Sequence, residues 1–130
     1  MMTPQQALAA LDYTDINIKI AAVEALAHYK YAYAVPQLKA LLDSPTVDLR
    51  LIVVVVRALS TIGSKEAMDI LKTYLFAGTT ALSPHTHDQT TYERTSRTDI
   101  IHEAVKKAFK QMDTPETRAA LAEWDRIMRG

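Results

Sequence analysis

The chain predicts an all-α fold, a short solenoid of about three helix-pair repeats preceded by a half-repeat. Three observations predict it. A block of residues recurs at a fixed offset, each copy carries two stretches of helical apolar periodicity, and only 3 glycines occur in 130 residues. Self-similarity with a period of roughly 20–50 residues is the signature of stacked repeats. Scarce glycine argues for few turns, and so for helices over strands.

The first segment, Pro4 to Leu11, resembles Pro36 to Leu42, with Pro-Gln at the start and leucines at the end of both. It reads as the lone second helix of a missing repeat, an N-terminal cap over residues 1–12. The first full repeat, 15–46, opens on Asp15. Ile18, Ala21, Ala22, Ala25 and Leu26 then follow the i, i+3, i+4, i+7, i+8 spacing of one apolar helical face. Ala34, Val35, Leu38, Leu41 and Leu42 repeat the spacing after a turn, and Asp43-Ser44-Pro45-Thr46 ends the pair.

The second repeat, 48–77, aligns with the first without a gap. Asp15 falls on Asp48, Val23-x-Ala25-Leu26 on Val56-x-Ala58-Leu59, and Leu38 on Leu71, all at an offset of 33. Gly63-Ser64 reads as a left-handed helix terminator followed by an N-cap. Ile52 to Val56 are five β-branched residues in a row, which local propensity assigns to a strand. The alignment with Lys19 to Val23, plainly amphipathic, assigns them to a helix instead. The apolar character all round predicts a central helix with neighbours on several sides.

The third repeat, 98–129, follows at an offset of 50 from the second, so 17 extra residues intervene. The excess falls in a polar stretch read as an inserted loop over 78–97. Thr114-Pro115-Glu116-Thr117 reads as an N-cap, Pro at N1 and an acidic first turn. The last helix, Thr117 to Arg129, carries Leu121, Trp124, Ile127 and Met128 on one stripe, with Trp124 as the anchor of a terminal cap.

Composition excludes several function classes. Hydrophobic residues are 48% and charged residues 23%, enough apolar surface to offset the entropy of ordering. Fifteen Lys+Arg balance fifteen Asp+Glu. Such a chain lacks the general attraction that drives most nucleic-acid binding, so a nucleic-acid partner is not favoured. Cysteine is absent, which excludes disulfides, thiol catalysis and cysteine metal sites. The first residues carry neither a basic nor a long apolar segment, and no aliphatic run reaches the ~20 residues that span a bilayer. The expectation is a cytoplasmic protein with no membrane partner and no cofactor.

The second repeat carries a family resemblance. Asp48-x-Arg50, Val56-x-Ala58-Leu59, Ile62-Gly63, Glu66-Ala67 and Leu71-x-x-x-Leu75 resemble the short HEAT-like repeat named after phycobilisome (PBS) lyases. The first copy departs from that pattern with Asn17 for Arg50 and Tyr29-Lys30 for Ile62-Gly63. The third departs further, with Ile100 at the Arg position and Met112-Asp113 for Ile-Gly. The resemblance implies a right-handed α-α superhelix in which Asp-x-Arg contacts between neighbouring turns are incomplete. It covers most of the chain outside 78–97, and it lies in scaffold positions, not in chemical ones.

No catalytic motif is present: the sequence holds no Gly-x-Ser-x-Gly, no His-Glu-x-x-His and too few glycines for a phosphate loop. The expectation is therefore a non-enzymatic adaptor that binds another protein. In solenoids the second helices line an extended concave surface. By helical phase Gln37, Lys39, Ala40, Ile70, Lys72 and Thr73 point away from the core or along its edge, and Ile70 stands out as an apolar contact. Three of six tyrosines crowd His28-Tyr29-Lys30-Tyr31-Ala32-Tyr33, and tyrosine is enriched at binding hot spots. On packing grounds Tyr29 and Tyr33 are expected under the turn and Tyr31 outside it.

The stretch from Ser83 to Arg97 supplies His85, His87, Tyr92 and Arg94 as further candidate contacts, since insertions in solenoids project from one face. His85-x-His87-Asp88 is also a weak metal candidate, to which His102 and Glu103 would have to add ligands. Two other readings stand beside the adaptor: an accessory or lyase-type component acting on a bilin-bearing protein, implied by the resemblance, and a metal-dependent activity at the His-x-His-Asp segment. A homodimer that extends the stack is compatible with each.

Overall fold

The computed structural model describes residues 1–44, 46–81 and 89–129, with side chains described outside 78–96. Among these residues the regular structure is helical throughout: α1 (Pro4–Ala10), α2 (Ile16–His28), α3 (Val35–Asp43), α4 (Leu49–Ile62), α5 (Lys65–Ala81), α6 (Gln89–Met112) and α7 (Pro115–Arg129). A single 3₁₀ turn, Ala32–Ala34, leads into α3. The all-α expectation holds. The chain divides into two compact units, Met1–Met68 and Asp69–Gly130, with the boundary inside α5.

In the first unit α1, α2 and α4 each start on a side chain that answers orphan N–H groups. Thr3 and Gln6 form a reciprocal box: Gln6 N donates to Thr3 Oγ1 at 3.2 Å and Thr3 N donates to Gln6 Oε1 at 3.0 Å. Asp15 Oδ1 accepts from Asn17 N at 2.8 Å and opens α2. Asp48 Oδ1 accepts from Arg50 N at 2.8 Å and opens α4. The two aspartates that align in sequence thus do the same job. α1 and α4 both pack on α2, and α3 packs on α4.

The core of this unit is Ala22, Val23, Ala25 and Leu26 of α2, Val35, Leu38 and Leu42 of α3, and Leu51, Ile52, Val55, Val56, Ala58 and Leu59 of α4. The β-branched run is helical, because Ile52, Val55, Val56 and Leu59 recur at helical spacing and bury together. Burial all round α4 does not hold, however. Leu49 and Val53 are 48% and 42% exposed, and with Arg50 and Arg57 they form an outer face. Successive residues advance by about 100°, so an uninterrupted apolar run must send some members outward. The face of α2 is also rotated from its expected position, with Val23 buried and Ala21 exposed.

Three helices that precede a tight turn, α2, α4 and α6, end on a left-handed residue. Lys30 has φ +49°, Gly63 +64° and Asp113 +49°, and they fall at the repeat offsets of 33 and 50. Glycine is lost in two copies, but the conformation is kept. At Lys30 the full set of closing bonds is present: Tyr31 N donates to Leu26 O at 3.0 Å and Lys30 N to Ala27 O at 2.9 Å. A side chain at such a φ costs roughly 1–2 kcal/mol.

In the second unit α6 packs against α7. Leu71 and Leu75 of α5, Ile101, Val105 and Phe109 of α6, and Ala120 of α7 are buried. α7 opens as its sequence predicts. Thr117 N donates to Thr114 Oγ1 at 3.1 Å, and Thr114 N donates back to Thr117 Oγ1 at 2.9 Å. That reciprocity puts Thr117 fully inside. Lys72 Nζ lies 2.6 Å from Glu116 Oε1 and ties α5 to the start of α7.

Two expectations need correction here. The loop expected over 78–97 is helical at both of its ends, since α5 runs on to Ala81 and α6 already starts at Gln89. From Gln89 to Arg97 the chain holds neither proline nor glycine. Its Thr, Ser, Tyr, Glu and Arg residues each cost under about 0.7 kcal/mol in a helix, so polarity alone does not break it. The stripe of α7 is also shorter than expected. Leu121 and Trp124 are half-buried, whereas Ile127 and Met128 are 48% and 42% exposed.

Candidate functional site

The tyrosine-rich turn of the first unit follows from how α2 ends. The left-handed Lys30 reverses the chain, and the 3₁₀ turn re-aims it into α3. Proline at position 36 suits the first turn of α3, where its missing N–H costs nothing. Between these two devices the side chains of 29–33 stand at the surface. Tyr29 is 47% exposed and Tyr33 82%, while Tyr31 is half-buried. The expected arrangement is thus reversed: Tyr29 and Tyr33 face water and Tyr31 is the partly covered one. The reason is Tyr31's place just after the left-handed residue, where its N–H is drawn back onto Leu26.

The rings pair among themselves. His28 and Tyr29 meet edge to face with centroids 5.2 Å apart, and Tyr31 and Tyr33 lie 5.6 Å apart at 56°. Gln37 anchors the far side of the turn, its amide nitrogen donating to Ala34 O and Tyr33 O, both at 3.3 Å. The structure therefore places Tyr31 and Gln37 beside Tyr33, which the packing argument expects inside, and pairs Tyr29 with His28 instead. Gln37 and Ala40 also border a groove of about 300 Å³ that Leu8, Leu11 and Asp12 close from the α1 side.

A second groove, about 200 Å³, lies near the N-termini of α2 and α4, between Thr14, Ile16 and Lys19 and the segment Ser44 to Leu51. Lys19 and Asp48 are its charged residues, and Asp48 is paired with its near neighbour Arg50. Arg50 Nε donates to Asp48 Oδ1 at 3.1 Å and its terminal nitrogen to Oδ2 at 2.9 Å. The Arg50 side-chain bonds, then its backbone N–H, hold the Asp48 carboxyl below the usual carboxylate value. The same bonds raise the Arg50 guanidinium. The resemblance implied that Asp-x-Arg joins neighbouring turns, but here the pair is a local clasp within two residues.

In the second unit Ile70 is only 7% exposed. It sits one turn beyond Ala67 and beside Leu71, so α5 buries a broader arc than its polar neighbours implied. It is not a surface contact. Thr73 is exposed, with its hydroxyl bonded back to Asp69 O at 2.9 Å. Tyr92 and Arg94 fall on the early turns of α6, and their side chains lie outside the described ones. His85, His87 and Asp88 lie outside the described residues altogether.

The proposed extra metal ligands on α6 are committed elsewhere. His102 is 3% exposed, with Nδ1 2.9 Å from the carbonyl oxygen of Leu75. Glu103 lies 3.7 Å from Lys106 Nζ. Among the described residues no group of three His, Asp or Glu is placed to hold a metal ion. His102 instead faces Trp124, with ring centroids 4.8 Å apart, and Lys106 Nζ lies 4.6 Å from the Trp124 ring centre. The sequence marks Trp124 as the anchor of a terminal cap but contains no signal for its histidine partner.

Paired helices with equivalent caps and equivalent terminators at repeat offsets define a helix-pair repeat protein. A family model for HEAT repeats matches residues 4–79, more than half of the chain, and the chain belongs to that family. No curated protein and no solved structure matches it. HEAT repeats typically serve as protein-interaction scaffolds. No helix among the described residues is long and apolar enough to cross a membrane.

Proposed function

We propose that this chain is a small HEAT-repeat adaptor, without catalytic activity of its own, that binds another protein. The observation that carries the reading is the aromatic turn of the first unit. Tyr29 and Tyr33 stand in water on a turn closed by the left-handed Lys30, with the Gln37 amide beside the Tyr33 main-chain carbonyl. Large aromatic surface kept outside a well-buried core is characteristic of binding sites. The contact surface comprises Tyr29, Tyr31, Tyr33 and Gln37 with the groove beside it. Thr73 and the segment 83–97, with His85, His87, Tyr92 and Arg94, would contribute contacts of their own.

The test is affinity capture from source-cell extract with tagged wild type beside a Tyr29→Ala/Tyr33→Ala variant and a chain lacking 83–97. A protein retained by wild type in stoichiometric amount and lost with either variant supports the adaptor. Retention of a bilin or of a stoichiometric metal in place of any protein would overturn it.

A further inference from the structure

We infer that the turn closing α2 is a docking edge for an acidic peptide segment of the partner. A partner carboxylate would pair with Lys30, and its apolar neighbours would lie on Tyr29, Tyr31 and Tyr33. The inference rests on the adaptor reading and deepens it by naming the chemistry of the partner.

The charge pattern of the turn points to this occupant. From Ala25 to Leu42 the chain contains no acidic residue, but it contains His28, Lys30 and Lys39. Lys39 is already committed, its Nζ lying 2.7 Å from Asp43 Oδ2. Lys30 is exposed and makes no ion pair among the described residues. The turn therefore presents one uncompensated lysine between tyrosines, with nothing anionic on its own segment to answer it. The equivalent turn of the second repeat, Ile62 to Glu66, has glycine in place of that lysine and answers Lys65 with Glu66 in sequence.

Backbone geometry strengthens the case. Lys30 occupies a left-handed position at which the second repeat uses Gly63. The sequence thus keeps a charged side chain where glycine would be less strained. The left-handed turn also sets Tyr29 and Tyr31 on either side of that charge. The His28–Tyr29 and Tyr31–Tyr33 ring contacts limit how far the rings can swing, so little ordering remains to be done on binding. An extended acidic segment with proline or phenylalanine between its carboxylates meets both demands, a charge-assisted hydrogen bond and flat apolar contact.

The test uses the full chain and three short labelled peptides of alternating Pro, Phe and a third residue, which is Glu, Gln or Lys. Binding is read by fluorescence anisotropy, and its place by amide shifts in NMR spectra. The Glu peptide is expected to bind best and to move Tyr29, Lys30, Tyr31 and Tyr33. Lys30→Gly, which suits the left-handed backbone and keeps the fold, should weaken it about tenfold, as expected for loss of one charge-assisted bond. Tyr33→Ala should weaken the Glu and Gln peptides alike. Equal binding of all three peptides, no binding, or shifts confined to other residues would overturn the inference. A natural partner that is still captured in full by Lys30→Gly would overturn it too, while leaving the adaptor reading intact.

Discussion

His102 of α6 and Leu75 of α5 are joined by a buried hydrogen bond of 2.9 Å from the imidazole Nδ1 to the main-chain carbonyl. A carbonyl oxygen only accepts, so Nδ1 must carry the proton, and in the neutral ring Nε2 is then bare. Nε2 and the Trp124 indole N–H are both buried without a partner among the described residues. The packing of α6 against α5 and α7 in the second unit thus holds one satisfied and two unsatisfied ring nitrogens on a single aromatic pair. His102→Ala removes the ring packing and the bond together and should cost about 2–4 kcal/mol. His102→Phe restores the ring but not the bond, so it should recover more than half of that loss. Urea unfolding of the three proteins, monitored by Trp124 fluorescence, would decide it. Equal stability of His102→Ala and wild type would mean that the bond and ring contact contribute nothing net.

The three left-handed terminators make a stability prediction of opposite signs at equivalent positions. Lys30→Gly and Asp113→Gly should each stabilise the chain by about 1 kcal/mol, since they remove a steric penalty greater than the entropy that glycine adds. Gly63→Ala should destabilise by about 1–2 kcal/mol. At Gly63 an added Cβ would meet Ser60 O at an ordinary 3.5 Å, so the cost would come from φ, not from a clash. Thermal unfolding of the three single variants would show two upward shifts and one downward. Three downward shifts would mean that Lys30 and Asp113 make contacts worth more than their backbone strain.

This register of terminators also shows how much of the fold was legible. The aspartate caps, Gly63-Ser64 and the Thr114-Pro115 start could be read directly, because each is a local chemical device written in adjacent residues. The helical state of Ile52 to Val56 was legible only through the repeat, which outweighed local propensity. The side chains of the site were less legible. Tyr29, Tyr31 and Tyr33 were recognised as a cluster, but which of them faces water depends on the φ of Lys30, and lysine does not announce a left-handed turn. Ile70 was misplaced because one helical step separates an edge from a core position. His102 was invisible as a core residue, since its acceptor is a main-chain carbonyl 27 residues away.

The Asp48–Arg50 clasp predicts an acid-sensitive contribution. Because the folded carboxyl is held below its ordinary value of 3.8, the ionised form favours the folded state. The contribution is complete above the unfolded value and is lost as pH falls through the folded one. The stability difference between wild type and Asp48→Asn should therefore shrink as pH falls from about 5 toward 2. Both side chains are solvent-exposed, so added salt should shrink it as well. A difference that stays constant across this range would assign the role of Asp48 to capping alone.

The outer face of α4 gives the sharpest test of how the β-branched run is folded. Val53 and Val55 are two residues apart, so a strand would place them on the same side, whereas a helix turns them about 200° from each other. In the structure Val53 is 42% exposed and Val55 is fully buried. Val53→Glu should change stability by no more than about 0.5 kcal/mol, as for other surface positions. Val55→Glu buries a carboxylate without a partner in the core between α2, α3 and α4 and should cost more than about 4 kcal/mol, enough to unfold a chain of ordinary stability. Circular dichroism and urea unfolding of the two variants would separate these outcomes. Equal and severe loss in both would mean that Val53 is covered in solution, as a second copy or a partner seated on Leu49 and Val53 would cover it. Near-neutral behaviour of both would contradict the helical phase of α4 itself.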